Sequence, residues 1–239
     1  MNKIILTCLI SFIMVSSITE VSAQGLLKTI VAVTGNVIDH TTKEPVSAKI
    51  TVYNEAGEKV NSTKSNAFED GYYYVTSLSA GTTYDFVIEN DDYLLERVSV
   101  RIAATDKYEE ISRDFVLKPK KIGEQLKLPV SPFELNKSKL RFGSAIIIED
   151  MATTLKNNKD VKFKIVSFPD EPGNPEANHE LTQSRAQSLM DYLVIRGIDP
   201  DRILIEGKST LDSKNPPPTE KQSKGKRYIG PTYIEIISH

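Results

Sequence analysis

The sequence predicts two domains, an all-β sandwich in the first half and a two-layer α/β sandwich in the second. The first half consists of short β-branched and aromatic runs separated by turn-forming residues. In the second half strand and helix patterns alternate in the order β-α-β-α-β-β. Of the 239 residues, 39% are hydrophobic, which is enough to build a core in each domain.

Residues 1–23 have the features of a signal peptide. Lys3 supplies a short positive region, residues 4–17 are apolar, and Val-Ser-Ala at 21–23 provides a cleavage site before Gln24. The apolar run is shorter than the roughly 20 residues of a membrane-spanning helix. We therefore expect an exported protein without a transmembrane segment in the mature chain. Cys8 is the only cysteine, so cleavage would leave no disulfide or thiolate metal site.

Residues 30–119 are predicted to form the β-sandwich. Five strand-like runs alternate with turn residues rich in Gly, Asn and Asp, and this spacing is typical of β-sandwiches; the runs are residues 31–34, 48–53, 72–75, 84–88 and 98–102. Within the third run, Tyr72, Tyr73 and Tyr74 favour a strand with tyrosines on alternating faces, and a sugar-stacking platform is the alternative.

Three short motifs occur in this region: Val33-Thr34-Gly35-x-Val37-x-Asp39, Pro45-Val46-x-Ala48 and Gly71-Tyr72-Tyr73. Together they resemble the carboxypeptidase-regulatory-like module of bacterial surface proteins. The resemblance implies a spacer or interaction role, without catalytic residues, and another envelope protein as the partner of the sandwich.

Residues 120–127 are polar and are predicted to be a linker, followed by the second domain at 128–239. Its first strand is predicted near residues 133–135. The second helix is the best marked of its elements. Asn174 is a suitable N-cap, Pro175 suits the first helical position, and Gly197 suits the C-terminal end.

Three polar residues lie on the inward face of this second helix. Asn178, Thr182 and Arg185 fall within about 60° of one another around the helix axis. An unpaired buried guanidinium costs roughly several kcal/mol, so Arg185 needs a partner. Asp170, at the end of the preceding strand, is the obvious protein candidate. The residues alone leave open whether the two form an internal ion pair or a ligand site.

The same residues belong to a longer pattern with fixed spacing, which consists of Asp170, Asn178, Leu181, Thr182, Arg185, Ala186, Tyr192, Leu193, Gly197, Ile198 and Arg202. This pattern resembles the signature of OmpA-like domains, the peptidoglycan-binding modules of Gram-negative envelopes. The resemblance implies that Asp170 and Arg185 clamp the zwitterionic end of a diaminopimelate residue in the wall's stem peptide. A carboxylate would bind the ammonium and a guanidinium would fork onto the carboxylate. Asn178 and Thr182 would support them through bonds to local backbone.

Two segments depart from the family pattern. Ser167-Phe168-Pro169 stands before Asp170 in place of Gly-His/Tyr-Thr, and Pro169 removes a backbone donor there. Near the C-terminus, residues 230–233 (Gly-Pro-Thr-Tyr) replace a segment that carries an arginine pair in the family. These departures favour an alternative, an envelope protein-interaction adaptor whose OmpA-like domain no longer binds the wall.

Composition excludes several other classes. The net charge of −2, with cations spread along the chain, argues against nucleic acid. The three histidines form no zinc-binding pattern and the mature chain has no cysteine nucleophile, so we expect neither an enzyme nor a metal or other cofactor. The sequence thus predicts a non-catalytic protein of the periplasm, associated with the outer membrane, that binds peptidoglycan.

Overall fold

The structure is a computed structural model that describes residues 29–218 and 227–239. The predicted signal peptide, residues 1–23, and the segment 219–226 lie outside these ranges. Within them, no helix combines the length and apolar character needed to cross a membrane.

The N-terminal part is β-rich and consists of two four-stranded sheets. One sheet has the order β4-β1-β7, with β8 also pairing with β1, and the other has the order β3-β2-β5-β6. The strands are β1 (Ile30–Asp39), β2 (Lys49–Tyr53), β3 (Lys59–Lys64), β4 (Tyr72–Ser79), β5 (Thr83–Glu89), β6 (Glu96–Arg101), β7 (Glu109–Ser112) and β8 (Phe115–Leu117). Alternate residues of each strand point inward. Tyr73 stacks on Phe115 in the core between the sheets, with ring centroids 5.3 Å apart.

The C-terminal part has one sheet of order β11-β10-β12-β9 and two long helices. Its elements are β9 (Gln125–Lys127), α1 (Ser144–Asn157), β10 (Lys162–Ser167), α2 (Pro175–Ile195), β11 (Ile203–Gly207) and β12 (Thr232–Ser238). Strands β10 and β11 are parallel, and the other pairs are antiparallel. Phe163 and Ile165 of β10 are buried in one core with Leu189 of α2, so the helices cover one sheet face and leave charged residues on the other.

The order of elements in this part is the predicted β-α-β-α-β-β, but the first strand lies elsewhere. It is β9 at residues 125–127, inside the predicted linker, where the alternation Gln-Leu-Lys turns Leu126 inward. Residues 133–135 do not form a strand. Phe133 makes one isolated bridge to Leu140, because the chain turns at Asn136, whose φ of 54° is incompatible with extended backbone.

The two parts are in direct contact through the loop between β5 and β6. Leu94 of this loop is buried in the core of the C-terminal part. Beside it, the amide of Asn158 donates to the carbonyl of Leu95 at 3.0 Å and accepts from its N–H at 2.8 Å. Lys118 lies 3.6 Å from the Asp150 carboxylate at the same contact.

Candidate functional site

Asp170 and Arg185 form a two-pronged ion pair. Arg185 Nη1 donates to Oδ1 at 2.7 Å, and Nη2 donates to Oδ2 at 2.8 Å. Both side chains have 0% exposure. The structure therefore brings Asp170 and Arg185 together, as the sequence predicts, in an internal ion pair that solvent does not reach.

Local sequence explains how the two side chains meet. Helix α2 begins where predicted: the Asn174 side chain accepts from the N–H of Ala177, and Pro175 occupies the first turn. Helical side chains lean toward the N-terminus, so Arg185, midway along α2, points back toward the helix start. Asp170 lies just beyond the end of β10, so its carboxylate meets the guanidinium there.

Main-chain groups satisfy most of the remaining bonding capacity of the pair. Arg185 Nε donates to the carbonyl of Lys137 at 2.9 Å, and Nη2 donates to the carbonyl of Glu134 at 3.0 Å. Four of the five guanidinium N–H groups are thus used. The Phe133 ring lies 5.4 Å from the guanidinium carbon and covers one face. The segment 133–137 therefore forms a lid of backbone over Arg185.

Asp170 is held in the same manner from two distant segments. The N–H of Asn136 donates to Oδ2 and the N–H of Gly230 donates to Oδ1, each at 2.7 Å. Burial by itself raises the pKa of the Asp170 carboxyl, but the bonds from Arg185, Asn136 and Gly230 outweigh it and hold the pKa below its ordinary value. The carboxylate is therefore ionised at neutral pH.

Sequence reasoning missed the main-chain donors and acceptors around the pair. Position 230 requires glycine, because a Cβ there would come within 2.1 Å of the Phe168 carbonyl oxygen. Asn136 adopts a left-handed conformation, which asparagine tolerates better than most residues. Neither signal identifies Asp170 as the partner, since the contacts span 60 and 34 residues of chain.

Asn178 and Thr182 lie in the N-terminal half of α2, where their side chains bond to backbone. Thr182 Oγ1 lies 2.9 Å from the carbonyl oxygen of Lys208, just after β11. Asn178 Nδ2 donates to the carbonyls of Glu171 at 3.2 Å and Ser209 at 3.3 Å. Both residues thus tie α2 to neighbouring loops, and their supporting role at the ion pair stays a prediction.

The two segments that depart from the family pattern pack against each other. Phe168 donates its N–H to the carbonyl of Pro231 at 3.0 Å. The hydroxyls of Ser167 and Thr232 lie 2.9 Å apart, and the ring of Phe168 meets Tyr233 edge-on at 5.9 Å. The changes thus form one complementary contact beside Asp170, which also places the Gly230 N–H on its carboxylate.

Metal binding gains no support from the arrangement of potential ligands. Within residues 29–218 and 227–239, no three His, Cys, Asp or Glu side chains are grouped so that they could hold a metal ion.

Comparison with known proteins identifies the region that contains the pair. A sequence model of the OmpA family matches residues 132–227, so the chain contains an OmpA family domain there. Outer membrane protein A of Bordetella avium is 31% identical over 105 residues, which are 44% of this chain and 53% of that protein. Outer membrane protein A of Atlantibacter hermannii is 35% identical over 77 residues, 31% of this chain and 32% of that protein.

A solved structure, the periplasmic domain of Helicobacter pylori MotB, aligns with 49% of this chain and 83% of its own, at 21% identity and a TM-score of 0.40. The chain spans about half or less of the length of these two curated relatives.

Proposed function

We propose that the protein is a non-catalytic component of the cell envelope that binds peptidoglycan through its OmpA family domain. The observation that carries the proposal is the buried Asp170–Arg185 pair. Asp170 precedes α2 and Arg185 lies midway along it, both within the matched residues 132–227, at the spacing that the OmpA-like signature gives its ligand-binding aspartate and arginine.

The pair has the chemistry to receive diaminopimelate, whose free end carries an ammonium and a carboxylate on one carbon. The ammonium would approach Asp170, and the carboxylate would take N–H donors of Arg185 that now bond to the carbonyls of Glu134 and Lys137. An ionised acceptor makes a stronger bond than a carbonyl does. Binding on this route requires residues 134–137 to move off the guanidinium.

A second candidate is a protein-interaction adaptor that no longer binds the wall. The observation that favours it is the closure of the site: both side chains have 0% exposure, and each is also bonded to main chain. In this case the pair is a structural tie between α2, the segment 134–137 and Gly230. Residues on the surface of the protein would make the contacts with the partner protein.

Sedimentation with two kinds of insoluble peptidoglycan separates the candidates. Wall with lysine in place of diaminopimelate keeps the ammonium but lacks the neighbouring carboxylate. We expect the mature protein to pellet with diaminopimelate-type wall and to remain largely in solution with lysine-type wall. Protein that stays in the supernatant with both, at low salt, would refute wall binding and leave the adaptor.

The matched control for the site is Arg196, which caps the C-terminal end of the same helix but is exposed and pairs with Glu149. Arg196→Ala should pellet like the unsubstituted protein. Arg185→Lys should bind poorly, because an ammonium cannot make the two-pronged contact with a carboxylate. Equal pelleting of Arg185→Lys and Arg196→Ala would move the wall contact away from Arg185.

A further inference from the structure

Three exposed tyrosines lie on the outer face of the sheet β4-β1-β7, and the hydroxyls of two of them, Tyr74 and Tyr108, are in contact. In β4, Tyr73 points into the core with 1% exposure, whereas Tyr72 and Tyr74 on either side of it point outward with 44% and 39% exposure. Tyr108, immediately before β7, is 55% exposed. Single exposed tyrosines are ordinary, but adjacent rings on one open face form a surface that calls for an explanation.

Hydrogen bonds hold two of these rings in place. The hydroxyls of Tyr74 and Tyr108 lie 3.0 Å apart, and the Tyr108 hydroxyl donates to Glu110 Oε1 at 2.8 Å. Because the Tyr108 proton goes to Glu110, Tyr74 must donate to Tyr108. The chain of bonds fixes the direction of each hydroxyl and orders the side chains before any ligand arrives.

Polar groups lie between and beside the rings. Tyr74 stands opposite Thr34 of β1, and Tyr72 stands opposite Asn36. The Asn36 amide already donates to the carbonyl of Asp70 at 2.7 Å, which leaves its oxygen as an acceptor. We call these residues the tyrosine face, and they are Thr34, Asn36, Tyr72, Tyr74, Tyr108 and Glu110.

We propose that the tyrosine face binds a glycan chain. Sugar rings have apolar C–H faces, whose partial positive charge suits the negative face of an aromatic ring, and hydroxyl groups that donate to acceptors such as Glu110 and Asn36. Tyr72 and Tyr74 are two residues apart on one strand, hence about 7 Å apart, so neighbouring sugars can lie over successive rings. The tyrosine face contains one carboxylate and no cation, so its charge fits a neutral chain better than a nucleic acid or an anionic lipid surface.

For the identity of the glycan this inference rests on the proposed function, since the polysaccharide of the wall is a chain of N-acetylhexosamines that carries the stem peptides. A chain that contacts the peptide with its OmpA family domain and the glycan with its β-sandwich would hold one polymer at two points. The second contact raises the overall affinity through effective concentration, even if it is weak alone.

Titration calorimetry of the full mature chain with chitohexaose, a peptide-free chain of six N-acetylglucosamines, tests the tyrosine face. We expect saturable binding that weakens about tenfold in Tyr72→Ser and again in Tyr74→Ser. Tyr74→Leu keeps apolar area without an aromatic face and should also bind weakly. Tyr53→Ser, in the other sheet, should bind like the unsubstituted protein. Absence of saturable binding, or equal binding by the Tyr72→Ser/Tyr74→Ser double variant with an unchanged melting temperature, would overturn the proposal.

Chitohexaose carries neither a stem peptide nor a charge, so it also separates this inference from the proposed function. Retained binding of chitohexaose by Arg185→Lys, with loss in the tyrosine variants, supports the tyrosine face even if binding of the stem peptide fails. Binding to intact wall that depends on Arg185, with none to chitohexaose, would refute the tyrosine face and leave the proposed function standing.

Discussion

Asp170 and Asn158 are both buried polar side chains that hold main-chain segments in place, but the first is charged and the second is neutral. Asp170 accepts from two distant N–H groups and pairs with Arg185 inside the OmpA family domain. Asn158 bonds to both the N–H and the carbonyl of Leu95 and so joins the two parts of the chain. These two buried side chains thus obtain their partners differently: Asp170 through an ion pair and main-chain donors inside one part, and Asn158 through neutral contacts between the two parts.

We call Asp170 and Arg185 the charged cluster, and Asn158 with Leu94 and Leu95 the neutral cluster. Breaking the charged cluster should have the largest effect on stability. Arg185→Ala leaves the Asp170 carboxylate buried without its counter-ion, and we expect the free energy of unfolding to fall by about 3–5 kcal/mol. Urea unfolding measures the change, with Arg196→Ala as a control that should change little. A fall as small as that of the control would show that solvent reaches Asp170 readily.

The structure also changes how much stability we expect Asp170→Ala and Arg185→Ala to cost relative to each other. From the sequence alone, Asp170→Ala should cost more, because Asp170 in Arg185→Ala could turn toward water in its loop. The Asp170 side chain is fully buried and bonded to Asn136 and Gly230, so the carboxylate cannot turn toward water when Arg185 is removed. Both single variants should be strongly destabilised, and the double variant should lose less than the sum of the two.

The neutral cluster should show the next largest effect. Leu94→Ala opens a cavity in the C-terminal core and should cost about 2–5 kcal/mol, while Asn158→Ala leaves the bonds to Leu95 unmade and should cost about 1–3 kcal/mol. Calorimetry should change from one transition to two as the parts uncouple. The exposed Leu204 supplies the control, Leu204→Ala. One transition in both variants would show that the contact with Leu94 and Asn158 does not couple the parts.

Low pH should weaken the charged cluster but not the neutral one, with a smaller effect on stability than the substitutions above. The folded pKa of Asp170 lies below its ordinary value, so its contribution is complete above the unfolded pKa of about 3.9 and is lost as pH falls through the folded pKa. Unfolding free energies measured from pH 7 to pH 3 should therefore fall more steeply in the unsubstituted protein than in Asp170→Asn. Asn158→Ala should keep the steep fall, because an amide does not titrate. Equal slopes in all three would show that other carboxylates dominate.

Local signals predicted the helix that carries Arg185, but they missed what surrounds it. The predicted helix ends were correct because caps and turns depend on neighbouring residues. The helix begins at Asn174 and Pro175, and Gly197 has a φ of 90° just past its end. The need for a buried partner also identified Asp170. Gly230 and Leu94 could not be found this way, since each makes contacts with distant segments and lies in a loop without periodicity.

The first strand of the C-terminal part was misplaced for a related reason. Residues 133–135 have a strand-like composition, but in the structure the Phe133 ring packs on the Arg185 guanidinium and the carbonyl of Glu134 accepts from Arg185 Nη2. A short alternating segment at 125–127 becomes β9 because β12 lies beside it. Pairing across more than a hundred residues decides between two candidates that look alike locally.

The smallest effects should come from side chains of the lid, because its carbonyls hold Arg185. Glu134 and Lys137 have exposed side chains that pair with each other at the surface. Glu134→Ala and Lys137→Ala should leave the urea midpoint nearly unchanged, since exposed pairs contribute little and both carbonyls remain. Asn136→Gly should also be tolerated, because glycine accepts the positive φ and keeps the N–H that Asp170 needs. Asn136→Val tests the same point in the opposite direction, since a β-branched residue resists that conformation and would pull the N–H away from the carboxylate. If Glu134→Ala instead lowered the midpoint as far as Arg185→Ala, the surface pair, and not the backbone, would be what fixes the lid over the ion pair.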